Sequence, residues 1–377
     1  MPLRAPYTLP SPGDDWLSAA RQRYLRRSAR LLLAWPRALP PWLVRPYASA
    51  REALGRVLAA RPAELYAALA LPQVGAPLHA GDLAEALTQV LVELSRRRAI
   101  GREGIWWPAP VRRLLCPATG AALELVPERA GMLFNDGEIE LGAADVWDLR
   151  PLAERSYLPM REGGWLALAD NNPLAGIEAH PDKEGNTLSL GTASAGDWLA
   201  ALDTARALVR AALPALADEH RMLLASVVPV GGPMEKSLSA SYREALGVVY
   251  LSLHPLPMKM VEALVHELQH TKLNLLTFSD PVLVDGGIGT HASPVRPDPR
   301  PLWGVLLAVH AFVPVAELYL HARGTPAADD ARLAEVVAVN REALDVVMAH
   351  AEPTELGRRL LDGLVTAVED QEARFHG

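Results

Sequence analysis

Chemistry in this chain is most legible at Val265-His266-Glu267-Leu268-Gln269-His270. Two histidines four residues apart lie on one face of a helix, one turn from each other. That spacing lets both imidazoles grip one metal ion. Glu267 points roughly a quarter-turn away, toward the place of a metal-bound water. The run 258–276 is apolar and helical in pattern, and Val261, Leu264 and Leu268 can face a core. Two imidazoles and a carboxylate carried into such surroundings need a partner, and a metal ion is the expected one.

Two imidazoles hold a metal loosely, so a third ligand is expected. Six of the eleven histidines (His254, His266, His270, His291, His310 and His321) fall between positions 254 and 321, which places the chemistry in the C-terminal half. Glu317 and His310 are the leading third ligands. They stand seven residues apart on one face of a second apolar helix. Asp285, His291 and His321 are weaker candidates. Leu276, six residues after His270, excludes the three-histidine metzincin pattern. A set of two histidines and a carboxylate serves zinc peptidases, where Glu267 would be general base. The same set serves non-haem Fe(II) oxygenases. A 2-oxoglutarate co-substrate would need an arginine for its distal carboxylate. Arg300 and Arg296 could supply it from the stretch 293–301, where four prolines in nine residues stiffen the backbone.

The elements that must position these groups divide the chain into three. Residues 1–100 read as an N-terminal helical region, with Gly81-Asp82 capping an amphipathic run to position 98. Residues 101–165 read as a mixed α/β connecting region, with turns at 119–120 and 135–137. Residues 166–377 read as the metal-binding catalytic domain. There, a helix over 197–216 precedes buried strands at 222–230 and 246–253, and the metal helix follows at once. Helices over 302–321, from 329 past 348 and over 355–375 complete it. The expected fold is α+β, predominantly helical, with a small sheet beside the metal helix. Asp170, Asn171 and Asn172, in Asp170-Asn171-Asn172-Pro173-Leu174, read as a turn or as a hold on a peptide backbone. The strand at 248–253 could hold the same peptide.

Composition excludes other classes. The chain has 377 residues, half of them apolar, a net charge of −7 and a pI near 5.9. No basic patch of the nucleic-acid kind, phosphate loop or nucleophile elbow occurs. The one cysteine, Cys116, fits a reducing compartment. No signal peptide and no membrane span are expected, so the reading is cytoplasmic. Arg21, Arg23, Arg26, Arg27 and Arg30 read as a solvated helix face, with docking of an acidic peptide as the other reading.

Leu264-Val-His-Glu-Leu-Gln-His270, then Asp298-Pro-Arg-Pro-Leu302 and the helix with Ala311-Phe312, resembles the HExxH-motif peptide-modification proteins. Asp170-Asn171-Asn172-Pro173-Leu174 and the Ser239/Ser241 segment fit the same pattern. The resemblance spans roughly residues 165 to 325 and leaves the first 100 uncovered. It implies a tailoring enzyme acting on a ribosomally synthesised precursor peptide. It further implies Fe(II)- and 2-oxoglutarate-dependent hydroxylation of a side-chain carbon, with His266 and His270 as metal ligands. The expectations beside it are a zinc metallopeptidase and a non-catalytic peptide-binding partner.

Overall fold

Helix-forming periodicity dominates the chain, and the computed structural model follows it. The structure describes residues 5–34, 41–101, 104–108, 113–126, 131–134, 139–142, 148–151, 155–177, 179–180, 183–232 and 237–377. The turn read at 135–137 lies outside them. Five helices come first: α1 (Trp16–Leu33), α2 (Pro41–Ala60), α3 (Pro62–Leu69), α4 (Pro72–Ala80) and α5 (Leu83–Arg96). Asp82 caps α5, its Oδ1 accepting from Glu85 N at 3.0 Å. The next part holds β1 (Ile105–Trp107), β2 (Arg113–Cys116), β3 (Ala121–Val126), β4 (Gly131–Phe134), β5 (Ile139–Gly142) and β6 (Asp148–Pro151). They form two three-stranded antiparallel sheets, β1-β4-β5 and β2-β3-β6.

The remaining strands are β7 (Tyr157–Pro159), β8 (Trp165–Ala167), β9 (Ala179–His180), β10 (Lys183–Glu184), β11 (Ser226–Pro229), β12 (Ser239–Ala240), β13 (Val248–Leu251), β14 (Thr290–Ser293) and β15 (Arg296–Pro301). The remaining helices are α6 (Ala195–Ala212), α7 (Pro214–Leu223), α8 (Pro257–Thr277), α9 (Leu302–Ala322), α10 (Asp330–His350) and α11 (Glu355–His376). The fold is thus α+β and predominantly helical, as expected.

One five-stranded sheet positions the site, in the order β12-β13-β11-β8-β7. Its centre, β13-β11-β8, is parallel, and β12 and β7 close it antiparallel. Both faces are covered, so β11 and β13 read as continuous apolar runs. Side chains alternate across it. Leu166, Val227, Val249 and Leu251 join the core that contains Leu264, Val265 and Leu268 of α8. Ala167, Val228, Val248 and Tyr250 join a separate core on the other face. Gly247 opens β13 at φ +85°, where a Cβ would stand 2.6 Å from Leu223 O, so only glycine fits.

The core on the α8 face also takes in Leu17, Leu54, Leu69 and Leu87 of the N-terminal helices. Composition changes near residues 100 and 165, but the apolar interior runs across both positions. A third core joins α9, α10 and α11 to the end of α8 through Leu276, Leu306, Leu344 and Leu364. Helix α9 is long and apolar enough to cross a membrane, yet 78% of its most apolar window is buried within the fold. Its apolarity is that of a helix packed by neighbours on every side. The proline-rich stretch is a strand, β15, paired with β14 in a hairpin that sets His291 opposite Arg300.

Candidate metal centre

Helix α8 begins with Pro257 at its first position, where a missing N–H costs nothing. It buries Val261, Leu264, Val265 and Leu268 against the sheet and carries Glu267 inward with them. His266 and His270 remain half-buried, with ring centroids 4.4 Å apart. Among the described residues, His266, Glu267 and His270 form the group able to share a metal ion. Their ligand atoms all lie within 4.8 Å of one another.

Strand β12 fixes the carboxylate. Ser239 Oγ donates to Glu267 Oε1 at 2.7 Å, and Ser241 Oγ donates to Oε2 at 2.6 Å. Residues two apart on an extended chain point the same way, which is why both hydroxyls reach one side chain. Glu267 Oε2 also lies 3.4 Å from His270 Nδ1. Burial alone would raise the Glu267 carboxyl, but the His270 ring, the His266 charge and the Ser239 hydroxyl outweigh it and hold it at about 2. Burial, then the neighbouring His270, push His266 down to about 4. The centre thus offers neutral imidazole at His266 and an ionised carboxylate, a donor set that fits a divalent cation.

The two expected third ligands lie elsewhere. Both oxygens of Glu317 accept from Arg374 Nη1, at 2.8 and 2.9 Å, so its charge is already matched by α11. His310 is fully buried, and its Nε2 stands 2.9 Å from Tyr7 O. Burial, then the charge of Lys272, lower it to about 3. Neither joins the group at His266. The weaker candidates are also engaged elsewhere. Asp285 Oδ1 accepts from Gly287 N at 2.8 Å within a turn. The His291 ring lies tilted against that of His350, centroids 4.3 Å apart. His321 Nδ1 stands 2.9 Å from Glu317 O.

The expected co-substrate arginines stand on the strand before the first turn of α9. Arg300 precedes α9, whereas the residue of α9 that meets the site is Phe312, 4.7 Å from the His266 ring. Ten residues of helix separate Leu302 from Phe312, roughly 15 Å. Arg296 begins the strand that ends at Pro301, before the start of α9.

The Asp170–Asn172 loop lies across the sheet from Glu267 and serves the fold. Asp170 Oδ2 accepts from Tyr250 Oη at 2.6 Å, and Asn172 Nδ2 donates to the same hydroxyl at 3.1 Å. Asn171 Nδ2 donates to Gln73 O and to Glu85 Oε1. Tyr250 belongs to the core on the far face, so this loop does not line the metal centre. Strand β13 is flanked on both sides, by β11 and β12, and has no free edge for a peptide.

Other residues at the centre carry little signal in the sequence. Glu262, one turn before His266, pairs with Arg332 of α10 and accepts from Tyr319 Oη at 3.1 Å. Arg332 also lies 5.9 Å over the Phe312 ring. Glu262 could have been found by helical spacing; Arg332 could not, being an arginine on a distant helix. Beneath His270, Lys272 is buried and bonds Glu219 Oε2 at 2.5 Å and Thr8 O at 3.1 Å. Gln269 Nε2 donates to the same carbonyl at 3.0 Å. The segment 5–9 is thereby tied to α8 and α9.

No family model matches the chain, and no curated protein matches it.

Proposed function

We propose that this chain is a metal-dependent tailoring enzyme of a ribosomally synthesised peptide, with His266, Glu267 and His270 as its ligand set. The observation that carries the reading is the convergence of these three side chains to within 4.8 Å. Two imidazoles and one carboxylate are the donors of mononuclear non-haem iron sites. Bound there, Fe(II) with dioxygen and 2-oxoglutarate supplies the oxidising power to hydroxylate an unactivated side-chain carbon.

The chain's own residues do the positioning. Ser239 and Ser241 keep Glu267 ionised and fix its direction. Phe312 closes one side of His266 and sets its ring plane. Arg332 is the arginine beside the centre; it is engaged by Glu262, so receiving a co-substrate carboxylate requires that pair to open. Strand β12 is a sheet edge whose Ser239 touches Glu267. A peptide added there as a strand would run alongside the metal centre. The lone Cys116 is free, consistent with a reducing cytoplasm.

A zinc peptidase with Glu267 as general base is the second reading. Its support is the closeness of Glu267 to both imidazoles. Both carboxylate oxygens accept serine hydroxyls, an engagement that a metal ligand and a general base would share.

One incubation separates the readings. The purified protein receives Fe(II), 2-oxoglutarate, air and a precursor peptide encoded beside it, followed by mass spectrometry. Gain of one oxygen is the expected result. Two fragments formed without air would establish the peptidase instead. An unchanged peptide that co-elutes would leave a binding partner without catalysis.

A further inference from the structure

Helix α1 carries Arg21, Arg23, Arg26, Arg27 and Arg30, all exposed, without one acidic residue; the last four share its outer face, and Arg21 stands about half a turn round from them. Arginines elsewhere find carboxylates, as Arg56 does with Glu52 and Arg96 with Glu93. Among the described residues, none of the five on α1 is in an ion pair. Arg23 donates to Ser279 Oγ, and Arg27 lies 5.6 Å over Phe278. Arg23/Arg27 and Arg26/Arg30 are like-charge pairs at i,i+4, a spacing that destabilises a helix. The five arginines of α1, with three arginines and one glutamate on α2, give the two helices a net +7. The whole chain carries −7, so the remainder carries −14.

Beside these arginines lies an apolar groove. Arg26 and Arg30 border a cavity of about 350 Å³ with Leu33, Leu58 and Tyr66. Arg21 borders a second, of about 680 Å³, with Leu25, Leu71 and Trp165. Tyr66 borders both. A solvated helix face explains the charges and leaves the groove unexplained.

We propose that this face docks an acidic peptide segment whose apolar side chains enter the groove while its carboxylates meet the arginines. Arg23 and Arg30, on one face, are seven residues apart, roughly 10 Å along the helix, the length of about three extended residues. Guanidinium groups bind carboxylates bidentately. A nucleic acid fits less well. The groove offers two aromatic rings for stacking, and the acidic remainder of the chain repels a long polyanion. The surface stands apart from the metal centre, and its test needs no metal.

The probe is a fluorescein-labelled synthetic peptide alternating glutamate with leucine, titrated into the full-length protein and read by anisotropy. Binding is expected at low salt, weakening several-fold as ionic strength rises from about 50 to about 300 mM. Arg26→Glu with Arg30→Glu is expected to weaken it about tenfold, from lost attractions and new repulsions at two positions. The same variant should gain affinity for the peptide in which lysine replaces glutamate, a swap that misfolding cannot produce. Arg358→Glu with Arg359→Glu, on α11, should change nothing. The proposal fails if the acidic peptide does not bind, if the α1 reversal leaves binding intact, or if a single-stranded oligonucleotide of equal charge binds more tightly.

Discussion

Ser241 Oγ stands 2.6 Å from Glu267 Oε2, the same oxygen that lies 3.4 Å from His270 Nδ1. One carboxylate oxygen thus joins Ser241, the residue after strand β12, to the second histidine of α8. Supporting hydrogen bonds of this kind set ligand direction and basicity, and their loss costs about 10- to 100-fold in metal affinity. Ser239→Ala with Ser241→Ala should weaken Fe(II) or Zn(II) binding by that factor in calorimetric titration. Glu267→Gln should weaken it further; unchanged affinity in Glu267→Gln would remove the carboxylate from the ligand set.

Glu317 is a structural anion. Its carboxylate is nearly buried and holds Arg374, which is more exposed. Glu317→Gln should destabilise the protein by about 1–2 kcal/mol, discounted for the exposure of the arginine. Metal content after dialysis should stay at the wild-type level. A Glu317→Gln protein that folds but loses its metal would restore Glu317 as a ligand.

Lys272 and Glu219 form a buried pair below His270. Removing one member leaves an uncompensated charge in the interior, which costs about 3–5 kcal/mol. Lys272→Met should therefore unfold at lower urea concentration than Lys272→Met with Glu219→Leu, in which both charges are gone. Equal midpoints would show that the pair is not desolvated as its burial implies.

Acid should loosen the fold before the carboxylates titrate. His220 and His310 are buried and neutral, each lowered to about 3 by burial and then by the charge of Lys272. In the unfolded chain they take up a proton near pH 6.5. Between pH 6.5 and about 3 the unfolded state therefore binds more protons, and stability falls as pH falls. Each histidine contributes on the order of 1.4 kcal/mol per pH unit across that window. Denaturation midpoints at pH 7, 6 and 5 should decline, and His220→Gln should flatten the decline.

Local spacing made α8, the pairing of its histidines and the capped start of α5 legible, because each depends on residues within two turns. Alternation made Ser239 and Ser241 point one way. Pairings between distant segments were not legible. Helical spacing gave Glu317 and His310 a common face on α9, but not which neighbours that face meets; Arg374 and Tyr7 reach them first. Arg300 seemed close to the metal site in sequence, yet ten residues of α9 separate the start of that helix from Phe312. Asp170 and its amides looked available for a ligand because nothing local announces Tyr250 as their partner. Helix α2 begins at Pro41 and carries Pro46 inside its first turns.

Residues 5–9 have a consequence for handling the protein. Two carbonyls there, of Tyr7 and Thr8, receive a buried amide and a buried ammonium and lie against a buried imidazole. The segment works as a cork. Clipping the chain just beyond Leu9 would uncork three polar groups together, next to the proposed metal-binding helix, and water would follow.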